Sequence, residues 1–389
     1  MTTKAGAGHF GPLIPFARAL QRAGADVLIA APREAAPMVR AEGLPLWAVD
    51  DPPADERAAI FAEVRGRDTD GTVAKRVVGD VFARIDARAA LPGVLAACRA
   101  WGPDIVISET TEFAGPLAAE IVGLPSACIG LSQQGKEEHM LPTIVGALED
   151  LRAYAGLAPD PTLSRVFDRP YMTLFPAALE DPATPTKLPS HRFREARPTV
   201  RRHPVYGGPA DERPLVYVTF GSAVPASDLF PSIYRAAIDV LAPLPVRLLV
   251  TVGRDRDPAE VGPVPPNVRV ERWVPQADLM PHVTAMVCHG GSGTVTMGLA
   301  GGVPMAVVPL FADQPWNAER VDAVGAGIAL TGGPEAAIAG LRAAVVRLTG
   351  DPSYRSTAQR LAAEMRALPP VDAAVGVVRG LLIERRAAA

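Results

Sequence analysis

Cysteine is scarce in this chain: Cys98, Cys128 and Cys288 are the only three in 389 residues, and they form neither a CxxC pair nor a Cys/His cluster. That spacing excludes a disulfide framework and a structural zinc site, and it fits a reducing cytoplasm. An excess of charge of one sign is also missing. Lys and Arg number 39 against 42 Asp and Glu, a net charge of −3, which removes the electrostatic case for a nucleic-acid binder or a polybasic membrane anchor. No apolar run is long enough to cross a bilayer, and Met1-Thr2-Thr3-Lys4-Ala5-Gly6 has no apolar signal core. Neither a membrane span nor export is therefore expected.

Hydrophobic residues make up 48% and charged ones 21%, the mix of a protein that buries real cores. At about 150 residues per domain the length points to two large domains. Short β-rich apolar runs alternate with segments of helical period, the pattern of α/β units on parallel sheets. In the first half, Leu13, Phe16, Ala17 and Leu20 mark a helix over 12–23 that ends at Gly24. Strands are expected at 26–30, 104–108 and 126–129, with a helix over 113–122 between the last two and irregular helices and loops over 50–97. Residues 182–213, with prolines, basic residues and Gly207-Gly208, look like an interdomain linker. A second series comes next, with strands at 215–220, 246–252, 268–271, 285–288 and 304–309. Val371, Val375, Val378 and Leu382 then lie on one face of a closing helix. The first Gly-rich loop, 4–11, should succeed a full central strand, yet only Met1, Thr2 and Thr3 precede it. Either the start is assigned late or that strand is short.

Gly6-Ala7-Gly8-His9-Phe10-Gly11 matches GxGxxG and opens a helix, which raises a dinucleotide-binding oxidoreductase. The acid that should hold ribose hydroxyls about twenty residues on is replaced by Ala30-Ala31-Pro32-Arg33. A histidine in such a turn is suited instead to take a proton from a hydroxyl. Asp68-Thr69-Asp70 and Asp255-Arg256-Asp257 could hold a divalent metal, but about one such triplet is expected by chance in a chain this long, and both read as loop residues. The informative stretch runs from Trp273 to Asn317. His289-Gly290-Gly291-Ser292-Gly293-Thr294 is a strand end feeding a Gly-rich turn and a helix, an anion site fit for a diphosphate. Trp273 offers a flat face for a base, or packs a core. Asp313 and Gln314 can bind vicinal hydroxyls, or Asp313 caps a helix.

That whole segment resembles the donor-binding signature of nucleotide-sugar glycosyltransferases of the GT-B fold, the family that decorates plant metabolites and bacterial antibiotics. Trp273, Pro275, Gln276, His282, His289, Gly291, Gly302, Pro304, Asp313 and Gln314 fall at its spacings. Gly8-His9 with Pro12 resembles the family's catalytic-base loop, and Phe220-Gly221-Ser222 the loop that opens its donor domain. The wording from Ser292 to Thr294 is closer to the actinobacterial antibiotic branch than to plant enzymes.

The resemblance implies two Rossmann-like α/β domains facing across a cleft. An acceptor domain would span 1–200, a donor domain 210–365, and a helix over 369–389 would cross back to the first. It implies an inverting, metal-independent transfer, with no cofactor, of a sugar, a deoxysugar in this branch, to a hydroxyl of an apolar aglycone. His9 would be the base and Glu109 its carboxylate where the family carries aspartate, with Glu112 as the alternative. Ser222, Trp273, Gln276, His289, Gly291, Ser292, Gly293, Thr294, Met297, Asp313 and Gln314 would bind the donor. Met297 stands where users of uridine donors carry glutamate, so a thymidine diphosphate (TDP) sugar is expected over a uridine diphosphate (UDP) sugar. A catalytically silent partner of another transferase is the remaining alternative, and a homodimer is left open.

Overall fold

Strands that are buried on both faces read as unbroken apolar runs, because helices cover both sides of a parallel sheet. In the computed structural model, which describes residues 1–64, 73, 75–195 and 212–388, every strand pairing is parallel. The described residues form two compact units. The first comprises Met1–Phe175, Glu180–Glu195 and Pro369–Ala389; the second comprises Pro176–Leu179 and the described part of Ala196–Leu368.

The sheet of the first unit contains β1 (Ile29–Pro32), β2 (Leu46–Val49), β3 (Val106–Glu109), β4 (Ser126–Ile129), β5 (Tyr171–Thr173) and β6 (Ser190–Arg192). β1 pairs with β2, and the others run in the order β3-β4-β5-β6. Thr2 joins the two groups through parallel bridges to Ala30 and Ser108. Its N–H donates to the Ile107 carbonyl at 2.9 Å, and the Met1 carbonyl accepts from Ala30 at 2.8 Å. Residues 1–3 thus occupy the central position of the sheet with very few ladder bonds. Leu13, Phe16, Ala17 and Leu20 of the helix Leu13–Arg22 are buried against it, at the spacing read from the sequence.

In the second unit the order is β12-β11-β10-β7-β8-β9, built from β7 (Leu215–Thr219), β8 (Arg247–Thr251), β9 (Val268–Glu271), β10 (Ala285–Cys288), β11 (Met305–Val307) and β12 (Gly327–Ala329). All five residues of β7 are buried. Val216, Val218 and Phe220 pack with Ile238 and Leu341 in one core, while Tyr217 bonds Thr251 at 2.9 Å through its hydroxyl. In each sheet the strand order reverses beside its first strand, and such a reversal opens a crevice beyond the carboxyl ends of the two flanking strands.

Some elements differ from the sequence reading. The strand expected at 26–30 lies at Ile29–Pro32, because its register is set by partners on both sides, with Ile29 opposite Leu46. β2, β5, β6 and β12, of three or four residues, were not among the expected strands. β6 corrects the linker expected over 182–213: it adds to the sheet edge, and Arg192 is tied to Glu180 and the Phe175 carbonyl at 2.9 and 2.8 Å. Residues 196–211, with Gly207-Gly208, lie outside the described residues, as does Asp68-Thr69-Asp70. The described residues of the 50–97 region are largely helical, and one of its helices, Lys75–Asp86, has the wide π geometry. Near the end, a short turn at Val371–Ala373 and the helix Ala374–Ala388 bury Val371 and Val378 in the core of the first unit. Among the described residues no helix is long and apolar enough to cross a membrane.

Candidate active site

In the first unit, Gly6 starts a four-residue helical turn, Ala7–Phe10, at φ 117°, a backbone conformation that favours glycine. The Gly6 carbonyl accepts from His9 and Phe10 at 3.1 and 3.0 Å, which presents the His9 ring with 24% of its side chain exposed. Across the sheet reversal, Glu109 ends β3 and is fully buried. His9 Nδ1 lies 3.0 Å from Glu109 Oε1. Thr111 meets the other carboxylate oxygen with its backbone N–H and, at 2.9 Å, its hydroxyl. Lys4 Nζ sits 3.9 Å from Oε1. Burial works against the charge of Glu109, but Lys4, His9 and Thr111 outweigh it and hold the carboxyl at about 2. The ring of Phe82 meets the His9 imidazole edge-on, 5.6 Å between centroids.

Glu112 points elsewhere. It accepts from Thr2 and from the backbone N–H of Ala114 and Gly115, at 2.8 and 2.9 Å for the last two. These bonds tie the start of the helix Ala114–Val122 to the central strand. Burial pushes its carboxyl up despite them. Sequence alone does not single out Lys4. A lysine in a loop carries no signal until residues 107 positions apart are brought together.

In the second unit His289 comes directly after β10 and is buried, and its Nδ1 has no hydrogen-bond partner. Its ring is gripped by two glycines. A Cβ on Gly221 would lie 2.5 Å from His289 Cε1, and one on Gly291 2.5 Å from Nε2. Burial pulls the imidazole down to about 4, with Asp313 opposing, so the ring is neutral near pH 7. Gly291 precedes the helix Ser292–Ala300, and the N–H groups of Ser292, Gly293 and Thr294 form its first turn, where intrahelical partners are lacking. Met297 is half-buried on the same helix.

Ser292 Oγ donates to Asp313 Oδ2 at 2.6 Å, and the buried Asn317 amide reaches Asp313, Ser292 and the Gly290 carbonyl at 2.8, 3.0 and 2.9 Å. Asp313 stands at the head of the helix Gln314–Ala323 without capping it through its side chain. Gln314 Oε1 accepts from the backbone of Leu310 and Phe311 at 2.9 and 3.1 Å. Gln276 donates to the Tyr217 hydroxyl at 3.0 Å. Ser222 is exposed beyond β7. Trp273, beyond β9, is 47% exposed, and the Arg254 guanidinium lies 3.8 Å from its ring centroid. Asp257 caps the turn Pro258–Val261, and no cluster able to hold a metal occurs among the described residues.

Two α/β units of this topology, each with polar groups gathered at its strand reversal, fit the GT-B fold, and the similarity to known proteins makes the class a glycosyltransferase. The chain belongs to the erythromycin biosynthesis protein CIII-like family, whose N-terminal domain matches residues 18–134 and whose C-terminal domain matches 236–379. It is 34% identical to the L-demethylnoviosyl transferase of Streptomyces niveus, over 99% of this chain and 98% of that one. Among solved structures it is similar to the glycosyltransferase VinC in complex with dTDP, at 26% identity and TM-score 0.76, over 99% of both chains. It is also similar to the Streptomyces sp. SF2575 glycosyltransferase SsfS6 complexed with thymidine diphosphate, at 25% identity and TM-score 0.75, over 97% of this chain and 98% of that one.

The grip on His289 is directly testable. Gly221 has φ 71° and a Cβ there would strike the ring, so Gly221→Ala should cost about 1–3 kcal/mol of stability and weaken nucleotide binding. Gly293→Ala, inside a helix where a Cβ meets nothing within 4 Å, is the control and should leave the melting temperature unchanged or raise it slightly. Equal melting temperatures for both variants would refute the packing argument.

Proposed function

We propose that the protein transfers a sugar from a TDP-sugar to a hydroxyl of an apolar natural-product aglycone, with inversion and without a metal. The observation that carries this reading is the 3.0 Å contact between a partly exposed His9 and an ionised, fully buried Glu109. His9 takes the acceptor proton, and Glu109 orients the ring and balances the imidazolium that forms. The acceptor oxygen then attacks the anomeric carbon from the side opposite the nucleotide, in a single displacement that inverts that centre. The bond to the diphosphate breaks, and the leaving charge is met by the neutral His289 and the N–H groups from Gly291 to Thr294. Preorganised dipoles of this kind take the role that a divalent cation plays elsewhere.

Trp273 stacks on the base with the face that Arg254 leaves open. Ser222 lies near the phosphates. Gln276 acts through its backbone, since its side chain is bound to Tyr217. Asp313 and Gln314 read the sugar hydroxyls, Asp313 from a carboxylate held by Ser292 and Asn317. Two similar solved structures carry thymidine diphosphate, which supports a thymidine donor.

Removing the base in His9→Ala should lower turnover by about 10²- to 10⁴-fold and leave nucleotide affinity intact. Glu109→Gln should cost less, because a carboxamide still orients the ring, whereas Glu112→Gln should appear in the melting temperature and not in the rate. A near-normal rate for His9→Ala on a hydroxyl acceptor would remove His9 from the mechanism.

Activity should also survive chelation by EDTA; complete loss, restored by manganese, would return Asp255 and Asp257 as metal ligands.

Donor choice rests on Met297. Its thioether is a weak acceptor, and a 2′-hydroxyl left unpaired there costs about 1–3 kcal/mol, roughly five- to 150-fold in affinity. Thymidine diphosphate, which lacks that hydroxyl, should bind more tightly than uridine diphosphate, and Met297→Glu should shift preference toward uridine. Equal affinities in the wild type, measured by titration calorimetry, would refute this account of selectivity.

A further inference from the structure

Lys4 succeeds the short central segment and turns its side chain into the first unit, where it is almost fully buried. Its ammonium donates to the Thr111 hydroxyl at 2.8 Å and to the Thr111 carbonyl at 3.3 Å. It also lies 3.9 Å from Glu109 Oε1, the same oxygen that His9 Nδ1 meets at 3.0 Å. The hydroxyl that accepts from Lys4 donates onward to Glu109 Oε2 at 2.9 Å. Phe82 links the two bases on the other side: Lys4 Nζ is 2.9 Å from its ring centroid, and His9 packs edge-on against the same ring. An ammonium stripped of water is a costly thing to keep in a core, where a methionine could pack against Phe82 with no such penalty.

We propose that Lys4 is a positioning residue of the base: by sharing the Glu109 carboxylate, it limits how strongly that carboxylate draws a proton onto His9. The inference rests on the reading of His9 as the base. Lys4 takes part of the carboxylate's field, so the imidazole stays unprotonated, and able to accept a proton, to lower pH than it would beside an unshared acid.

The charges around the pair all bear on this balance. Lys4 is faced by Glu109 and Thr111 from the end of β3, by Phe82 and Asp86 from the helix Lys75–Asp86, by Arg57 from the helix Ala54–Val64, and by Glu112. Among the groups described, Glu109, Thr111 and Phe82 face His9. Burial brings the ammonium down to about 8, with the three acids opposing and Arg57 assisting. Lys4 is therefore charged at neutral pH and loses its charge just above it.

The test tracks the His9 imidazole by NMR in protein carrying labelled histidine, assigned by His9→Asn, alongside pH profiles of kcat/KM. Lys4→Met and Lys4→Gln both remove the charge, and Lys4→Gln keeps a donor for Thr111. In each, the pKa of His9 should rise by about one unit. The acid limb of kcat/KM should move with it, giving roughly tenfold lower activity on that limb and an unchanged KM for the donor. In the wild type, which needs no variant, the ring resonances of His9 should show a second inflection near pH 8 as Lys4 deprotonates. An unmoved His9 pKa in a folded Lys4→Gln protein would overturn the proposal. So would wild-type His9 resonances that stay still across the pH at which the Lys4 Cε resonance itself titrates, should neither variant fold. A near-normal rate for His9→Ala would instead overturn the assignment of the base itself, whatever the titration reads.

Discussion

A carboxylate sealed from water has to be met by other charges or give up its own. Glu109 keeps its charge, and much of the first unit is arranged so that it can. It is the last residue of β3, beside the segment that completes the sheet. Its partners therefore arrive from the loops beyond the two strands at the reversal: Lys4 and His9 from one side, Thr111 from the other. The contacts of Lys4 and His9 join residues 100 or more positions apart in the chain. They arise from ending two adjacent parallel strands at the same level and turning the chain over them.

The second unit uses the same topological position with the opposite electrostatics. His289 is buried at the reversal of its sheet with no counter-ion bonded to it, so burial keeps it neutral. Space rather than charge holds the ring, since Gly221 and Gly291 bring backbone against it from two sides. The loop beyond β11 is then fixed from within, because Asn317 ties Gly290, Ser292 and Asp313 together while Gln314 closes onto its own backbone. A neutral donor beside a helix N-terminus favours an anion that arrives and departs. A permanent cation there would hold it more tightly in every state.

The fold was legible where a strand reads as a short apolar run between turn residues or where a helix carries its period. The strand at Ser126–Ile129 lies where the sequence put it, and the helix Leu13–Arg22 within one residue of the expected ends. β6 was not legible, since Ser190-His191-Arg192 is polar and joins the sheet only because β5 is there to receive it. The helix Lys75–Asp86 did carry the helical period, in Val78, Val81, Phe82 and Ile85, but its charged residues and Gly79 made the region read as irregular. In the site, motif spacing located His289 and Asp313. It could not show that Asn317 is the residue binding that loop together, nor that Gln276 is spent on Tyr217. Lys4 was invisible because its meaning lies wholly in a contact with residues more than a hundred positions away.

The buried acids of the first unit also bear on which of them serves the base proposed at His9. Glu137 is pushed up to about 8 by burial, although Tyr171 and two backbone N–H groups bond it. Asp86 rises to about 6, with Arg57 and Lys4 only partly offsetting burial. Glu112 rises as well, its bonds being to a hydroxyl and to backbone donors. Glu109 alone among these four is driven down, to about 2, and it alone combines an ammonium, an imidazole and hydrogen-bond donors around its two oxygens. Environments that separate otherwise equivalent carboxyls in this way divide their chemical roles. Glu109 is the acid that is both driven down and bonded to the imidazole, while Glu112 is pushed up and spent on Thr2 and backbone donors, so the environment favours Glu109 over Glu112 as the partner of His9, independently of any likeness in sequence.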